Sequence, residues 1–136
     1  MSWPYVDDNA WDRARPLKYV VGDEKAKTVV VDNDTVTADA KSRKRVTGGS
    51  LLCKITASGL YGPYSKTATD GRQTLADGSA VITRRGLDVT LGDRAIAGLF
   101  ADCVFDKSAL TLSGVSLHGA SLTSLKAAFP QCTFDD

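Results

Sequence analysis

The sequence has few of the residues on which enzymes and metal-binding proteins depend. Its 136 residues include one histidine (His118), one glutamate (Glu24) and three cysteines, and no run of about 18 apolar residues occurs. We therefore expect no membrane-spanning helix. All but one of the 16 acidic residues are aspartate. Aspartate favours turns and helix caps over helix interiors, so the composition indicates a protein of strands and loops.

Strong charge of either sign is also missing. Lys and Arg number 17 against the 16 acids, a net charge of +1, so nothing directs the whole chain to nucleic acid or to an anionic membrane. The basic run Lys41–Arg45 is interpreted as a solvated turn. The start of the chain lacks the apolar core of a signal peptide, and we expect none.

The three cysteines, Cys53, Cys103 and Cys132, form neither an even set nor a CxxC pair. We interpret them as reduced thiols that serve as small apolar residues inside a cell. With His118 they could be drawn as a Cys3His zinc site, but the short local ligand pairs of such sites are absent. We expect no metal.

Catalytic motifs are equally scarce. Ser116, His118 and Asp102 could be written as a triad, but no GxSxG nucleophile elbow surrounds any serine. Asp70 and Asp77 could act as paired carboxylates, yet each precedes a glycine and is more simply a turn residue. No phosphate-binding loop or dinucleotide fingerprint occurs. We expect neither an enzyme nor a cofactor.

The glycines divide the chain in two. Eleven of the twelve lie at or after Gly48, whereas residues 1–45 hold nine Lys/Arg, eight Asp/Glu and two prolines. This first segment also contains four large aromatics: Trp3, Tyr5, Trp11 and Tyr19. It has no regular apolar face. We predict an extended N-terminal arm (1–45) that packs on a partner and a β domain (46–136); in the alternative, the aromatics fold back onto the chain's own core.

Strand patterns fill the second segment. In SLLCKITA, residues 51, 53, 55 and 57 share one face, and Ser58-Gly59 predicts a reversal. Ala80–Thr83 and Leu87–Thr90 are predicted as short strands. The clearest strand is Ala95–Phe105, whose alternate residues are all apolar and are predicted to line the core: Ala95, Ala97, Leu99, Ala101, Cys103 and Phe105.

Other elements are predicted near the two ends. Thr28–Val31, a D-N-D turn and Thr35–Thr37 suggest a hairpin or kinked strand between arm and body. One helix is expected after Ser121, with Leu122, Leu125 and Phe129 on one face and Pro130 at its end. Gln131–Phe134 is predicted as a closing strand.

The block GGSLLCKITASGLYGPYSKTATDGRQT resembles the lambda-type head decoration proteins of tailed bacteriophages, which are small capsid cement proteins. Their pattern is similar: an apolar strand ending in Lys-Ile-Thr, a Ser-Gly reversal, Tyr-x-Pro-Tyr and an Asp-Gly loop. AIAGLFADCVFDKSALT and SLTSLKAAFPQCTF are similar to later parts of that family, in the same order, so the resemblance covers about 48–134. The sequence departs from the family at LADGSAVITRRGLDVT, which intervenes before the late strand.

The resemblance implies a mainly β, β-clip-like bent ribbon or incomplete barrel with one short C-terminal helix. It also implies a homotrimer on the outer surface of the major capsid protein shell, in the virion and, during assembly, in the host cytoplasm. It implies no catalysis and no cofactor, and on charge and hydropathy we expect neither direct nucleic acid nor membrane as a partner. We name Ser58–Thr74 the interface loop, since its glycines, proline and aromatics can shape an interface with little loss of entropy. Its proposed contact residues are Tyr61, Pro63, Tyr64, Asp70 and Arg72; in the alternative, Tyr61 and Tyr64 cover the edge of the chain's own core.

Two other functions remain open on the sequence. One is a trimeric nucleotide hydrolase of the dUTPase type, which shares the β-clip architecture but needs a carboxylate metal site. The other is a carbohydrate-binding or adhesion module of a phage fibre, which would use exposed Trp3, Trp11 and the tyrosines.

Overall fold

The structure is a computed structural model that describes Leu17 and residues 24–76, 78–106 and 122–135. Its elements are β1 (Lys25–Val31), a 3₁₀ turn (Asn33–Thr35), β2 (Arg45–Val46), β3 (Leu51–Lys54), β4 (Tyr61–Pro63), β5 (Ala80–Thr83), β6 (Leu87–Asp88), β7 (Arg94–Ala101), β8 (Val104–Asp106), α1 (Leu122–Ala128) and β9 (Thr133–Asp135).

Five strands close into a barrel in the order β1–β4–β3–β5–β7. The closing strand is β1, which runs antiparallel to β7 from the pair Lys25↔Ala101 to the pair Val31↔Arg94. It also meets β4 in parallel at Val31↔Tyr61. Two small sheets lie beside the barrel, β2–β6 and the parallel pair β8–β9. Closure pairs the backbone groups that an open sheet would leave exposed at its edges.

The barrel interior is filled by residues from all five strands. The buried members of this inner cluster are Val29, Val31, Leu52, Tyr61 and Val81, joined by Val36, Val46, Leu87 and Val89, with Ile96 and Phe100 partly buried. A Cβ at position 98 would lie within 3 Å of the Val81 side chain, so Gly98 lets β7 pass close to β5.

A second, outer cluster covers the opposite faces of β3, β5 and β7. It joins Leu51, Cys53, Ala80, Ile82 and Leu99 to Cys103, Phe105, the α1 residues Leu125 and Ala128, and Phe129 directly after the helix. The Phe105 ring stacks on the Phe134 ring at 5.2 Å and meets the Phe129 ring edge-on at 6.1 Å. Strands β3 and β5 are therefore buried on both faces.

The mainly β fold, the barrel and the short helix α1 are confirmed. The predicted strand Ala80–Thr83 coincides with β5, and Leu125 and Phe129 face the core as expected. Ser121, the predicted helix cap, lies outside the described residues. The barrel is closed where an incomplete one was expected, because β1 joins β7 to β4. No helix in the described residues is long and apolar enough to span a membrane.

The expected apolar face from Ala95 to Phe105 is only partly buried, at four of its six residues. Leu99, Ala101, Cys103 and Phe105 are in the core, but Ala95 and Ala97 are exposed. The outer cluster reaches only the later part of β7, so the earlier alanines have no cover. The strand is also not continuous, because Asp102 adopts a φ of +55° and separates β7 from β8.

The prediction that residues 1–45 form an arm is also corrected within the described residues. Lys25–Val31 is a strand of the barrel, with Val29 and Val31 in its core. The D-N-D turn is present as the 3₁₀ turn, but Thr35–Thr37 is not a strand and forms no hairpin with β1. The boundary predicted at residue 45 thus falls inside the barrel domain.

Candidate interface loop and cleft

Several predicted site residues cannot be placed. The arm aromatics Trp3, Tyr5, Trp11 and Tyr19 lie outside the described residues. The same holds for Ser116, His118 and Asp77, so the triad, the zinc set and the Asp70–Asp77 pair are incomplete in the part of the chain that the structure describes. Among the described residues, no group of three or more His, Cys, Asp or Glu side chains could hold a metal ion.

Tyr61 is not a surface contact, which corrects its assignment to the interface. Its side chain is 6% exposed and belongs to the inner cluster. The Lys27 ammonium lies 5.8 Å from the centre of the Tyr61 ring and 5.6 Å from that of Phe100. Tyr61 therefore anchors the interface loop to the barrel instead of offering it to a partner.

Gly62 brings three parts of the site together. A Cβ at this position would collide with the Thr35 side chain and would lie 2.9 Å from Cδ of Arg72. The absent side chain lets the 3₁₀ turn after β1 and the stem of Arg72 pack directly on the β4 backbone. This explains the glycine of the Tyr-Gly-Pro-Tyr motif by close approach.

An ion pair braces the far part of the interface loop. Arg72 Nε lies 3.0 and 3.2 Å from the two carboxylate oxygens of Asp70, and the Arg72 backbone N–H donates to Oδ1 of Asp70 at 3.1 Å. Burial of Asp70 opposes ionisation, but the hydrogen bonds from Arg72 outweigh it and lower the pKa of Asp70. The carboxylate is thus charged and held in place at neutral pH.

Backbone hydrogen bonds tie this turn to the neighbouring chain. Thr56 N–H donates to the Asp70 carbonyl at 2.9 Å, and Ser65 N–H donates to the Arg72 carbonyl at 3.3 Å. Gly71 has a φ of +116°, and a Cβ there would lie 2.7 Å from the Lys54 carbonyl oxygen. The interface loop is therefore a folded unit with its own internal bonds.

One wall of a cleft is formed by this loop, and the segment from Thr35 to Ser50 forms the other. The cleft has a volume of about 620 Å³. Its polar lining consists of hydroxyl and cationic side chains: Thr35, Thr37, Thr47, Ser50, Ser65, Arg45, Lys66 and Arg72. Pro63 and Tyr64, two predicted interface residues, lie in the same lining. None of the described residues that line it is acidic.

Arg45 is the counterpart of Arg72 on the opposite wall. Its Nε lies 3.6 Å from Oδ2 of Asp88, across the β2–β6 pair. Hydrogen bonds from Thr90 and the charge of Arg45 lower the pKa of Asp88, against a smaller effect of burial. Each arginine is therefore fixed by an aspartate behind the cleft, and Lys66 adds a further positive charge. Such a site can donate hydrogen bonds to carbonyl or carboxylate groups of a partner.

The sequence predicted only part of this site. Pro63, Tyr64, Asp70 and Arg72 were found through their loop, and the structure brings all four to one place. The residues on the other wall, such as Thr35 and Arg45, carry no local signal, because only the packing of the 3₁₀ turn on Gly62 and the pairing of β2 with β6 place them there.

The comparisons add no relative. Neither the family models, nor the curated proteins, nor the solved structures contain a match to this chain.

Proposed function

We propose that the chain is a capsid decoration protein that binds the outer surface of a major capsid protein shell as a homotrimer and stabilises the head. The observation that carries the proposal is the interface loop. The sequence block with the strongest resemblance to decoration proteins folds as one continuous unit of β3, the reversal at Gly59, β4 and the Asp70–Arg72 turn.

The geometry of this unit favours binding. Because Asp70 and Arg72 are already paired and the turn is hydrogen-bonded to Thr56 and Ser65, docking a partner requires little further ordering. A preorganised surface loses less conformational entropy on association than a mobile one does. The capsid-facing surface in this proposal comprises Pro63, Tyr64 and Lys66 on the loop.

The arm aromatics belong to the same proposal. Trp3, Tyr5, Trp11 and Tyr19 would provide large apolar contacts with the capsid protein, the kind of contact that dominates binding energy at interfaces. The protein would act in the virion, and in the host cytoplasm during assembly, with no nucleic acid, membrane or cofactor as a partner.

The test is a pelleting assay with undecorated heads of the phage that encodes the chain, after its oligomeric state is measured by size exclusion with light scattering. We expect a trimer and saturable binding at a regular copy number. Lys66→Glu should weaken binding about tenfold or more, since a reversed charge is placed at the interface. Lys126→Glu is the matched control, because Lys126 is an exposed lysine on α1, away from the cleft lining.

The proposal fails if the wild-type protein does not sediment with heads. If Lys66→Glu and Lys126→Glu weaken head binding equally, the effect is one of general charge and the interface loop is not the capsid-binding surface. Hydrolysis of a nucleoside triphosphate by the purified protein, or binding to host-surface polysaccharide without binding to heads, would instead favour one of the two alternatives.

A further inference from the structure

Two cysteines that are distant in the sequence meet where the C-terminal strand joins the fold. Cys103 immediately precedes β8 and Cys132 immediately precedes β9. The two strands are parallel with Val104 opposite Thr133, so the cysteines occupy the preceding position on each strand. The Thr133 N–H donates to the Cys103 carbonyl at 2.9 Å, which holds this register at the cysteines themselves.

This placement suits a covalent bond between the two sulfurs. Neighbouring strands lie about 4.8 Å apart and residues opposite each other point to the same face. A disulfide bridges Cα atoms about 4.4–6.8 Å apart. Cys103 is part of the outer cluster, and Cys132 packs against that cluster. Each thiol shifts the pKa of the other, as expected for neighbouring groups.

The two thiols have different environments, which give them different roles in disulfide exchange. Cys132 is half-buried, whereas Cys103 is 2% exposed and donates its S–H to the Ala101 carbonyl at 3.1 Å. The interaction with the Cys132 thiol raises the pKa of Cys103, and burial raises it further. The interaction with Cys103 lowers the pKa of Cys132. The accessible sulfur is thus also the one with more thiolate character, which makes it the nucleophile.

We propose that Cys103 and Cys132 are a redox-active pair that forms a reversible disulfide by exchange with a small-molecule disulfide. The Cys132 thiolate attacks one sulfur of the small disulfide, forms a mixed disulfide and releases one thiolate. Cys103 then loses its proton to solvent and attacks the Cys132 sulfur, which releases the second thiolate. The protein dithiol is oxidised by two electrons, and one small disulfide is reduced to two thiols.

The crosslink has a structural consequence. It joins the start of β8 to the start of β9 and encloses α1, whose Leu125 and Ala128 belong to the outer cluster. Closing this loop lowers the entropy of the unfolded chain. The oxidised protein should therefore melt roughly 5–10 °C higher than the reduced protein.

Cys53 is an internal control. It lies in the same cluster, on β3, with its side chain 0% exposed. Burial raises the pKa of Cys53 to about 12, and β3 pairs with β4 and β5, not with β8 or β9. It should stay a free thiol throughout.

The experiment treats the full chain with oxidised glutathione and counts thiols with a chromogenic disulfide after denaturation, followed by peptide mapping. We expect the count to fall from three to one, with the crosslink between Cys103 and Cys132, and to return to three with reductant. Cys53→Ala should keep the crosslink and its rise in melting temperature. Cys103→Ser should accumulate the glutathione mixed disulfide on Cys132, since the resolving sulfur is missing.

Other outcomes overturn the proposal. These are three free thiols after oxidation, a crosslink that includes Cys53, or a stable mixed disulfide on wild-type Cys132. If Cys103→Ser does not fold, the peptide map of the Cys53→Ala protein decides the question alone. Capsid binding plays no part in these measurements, so the result is independent of the proposed function.

Discussion

At the residue scale, the space around a residue decides what a substitution does, as two glycines and two leucines show. Gly62 and Gly98 both lie on strands, and at each of them a Cβ would meet neighbouring atoms at less than 3 Å. Leu99, on β7, is completely buried in the outer cluster, whereas Leu91, a few residues earlier, is fully exposed. Substitutions at these positions therefore measure the effect of packing for residues of the same type.

Leu99→Ala should destabilise the protein by about 2–5 kcal/mol, the cost of truncating a core leucine. Leu91→Ala is the matched control and should change the free energy of unfolding by less than about 0.5 kcal/mol, because its side chain makes no buried contact. Urea unfolding of both variants measures the difference. A loss below about 1 kcal/mol for Leu99→Ala would mean that the outer cluster is not a packed core.

Gly98→Ala should destabilise the barrel by about 1–3 kcal/mol, since the added methyl group forces β7 away from Val81 or changes the Val81 rotamer. Val81→Ala alone should also destabilise, through a cavity. The double variant should lose less free energy of unfolding than the sum of the two losses, because alanine at position 81 leaves room for the new methyl group at position 98. Strict additivity in this double-mutant cycle would contradict the close approach.

At the element scale, β1 decides whether the barrel exists. It contributes Val29 and Val31 to the inner cluster and supplies the pairing partner of β7 along its length. Without it, β4 and β7 would each have an open edge, and open edges invite pairing with other chains. The segment that composition assigns to an arm is thus in part an essential strand.

Removal of residues 1–45 should abolish cooperative folding, because it deletes β1 and the 3₁₀ turn that packs on Gly62. Removal of residues 1–16 keeps every barrel strand of the described residues and should retain a cooperative thermal transition. On the proposed function, it should also weaken attachment to heads through loss of Trp3, Tyr5 and Trp11. Circular dichroism melts and the pelleting assay give the two readouts. A folded 46–136 fragment would restore the boundary at residue 45.

At the scale of the whole molecule, the two clusters are not separate domains. Strands β3 and β5 contribute Leu51 and Ile82 to the outer cluster and Leu52 and Val81 to the inner one. Loss of either strand removes packing from both clusters. The described residues should therefore unfold as one cooperative unit. A condition that weakens the ion pairs at the surface should shift this single transition.

Acid should produce such a shift. The pKa values of Asp70 and Asp88 are lowered in the folded protein from the ordinary value of 3.8. A carboxylate with a lowered pKa stabilises the fold fully above its unfolded pKa, and this stability is lost as the pH falls through the folded value. The melting temperature should therefore be nearly level from pH 7 to about pH 5 and fall below about pH 4.

Both side chains are more than a third exposed, so solvent screens each ion pair to at most about 1 kcal/mol. Asp70→Asn and Asp88→Asn should each flatten the acid part of the profile. Asp34→Asn, at an exposed position in the turn after β1, is the control. If both substitutions leave the acid part unchanged, other groups govern the acid sensitivity.

Much of the local structure could be predicted from the sequence. The strand at the start of SLLCKITA, the run Ala80–Thr83 and the spacing of Leu125 and Phe129 each depend on neighbours within a few residues. The predicted face of residues 51 to 57 extends too far, because β3 ends at Lys54 and Ala57 is exposed. The interface loop could be found in the same way, since its glycines, proline and Asp-Gly turn act locally. These signals do not depend on which distant segment becomes the partner.

The sequence alone determined several of the extended segments, such as Ala80–Thr83, the reversal at Gly59 and the amphipathic helix before Pro130. Only the tertiary structure decided that β1 closes the barrel, that Ala95 and Ala97 stay outside the core, and that Cys103 and Cys132 are neighbours. The physical reason is that burial requires contact between two surfaces, which a local sequence pattern does not specify. An apolar side chain on a strand is buried only where the fold brings another surface onto it, and α1 and its neighbours reach Leu99 but not the alanines before it.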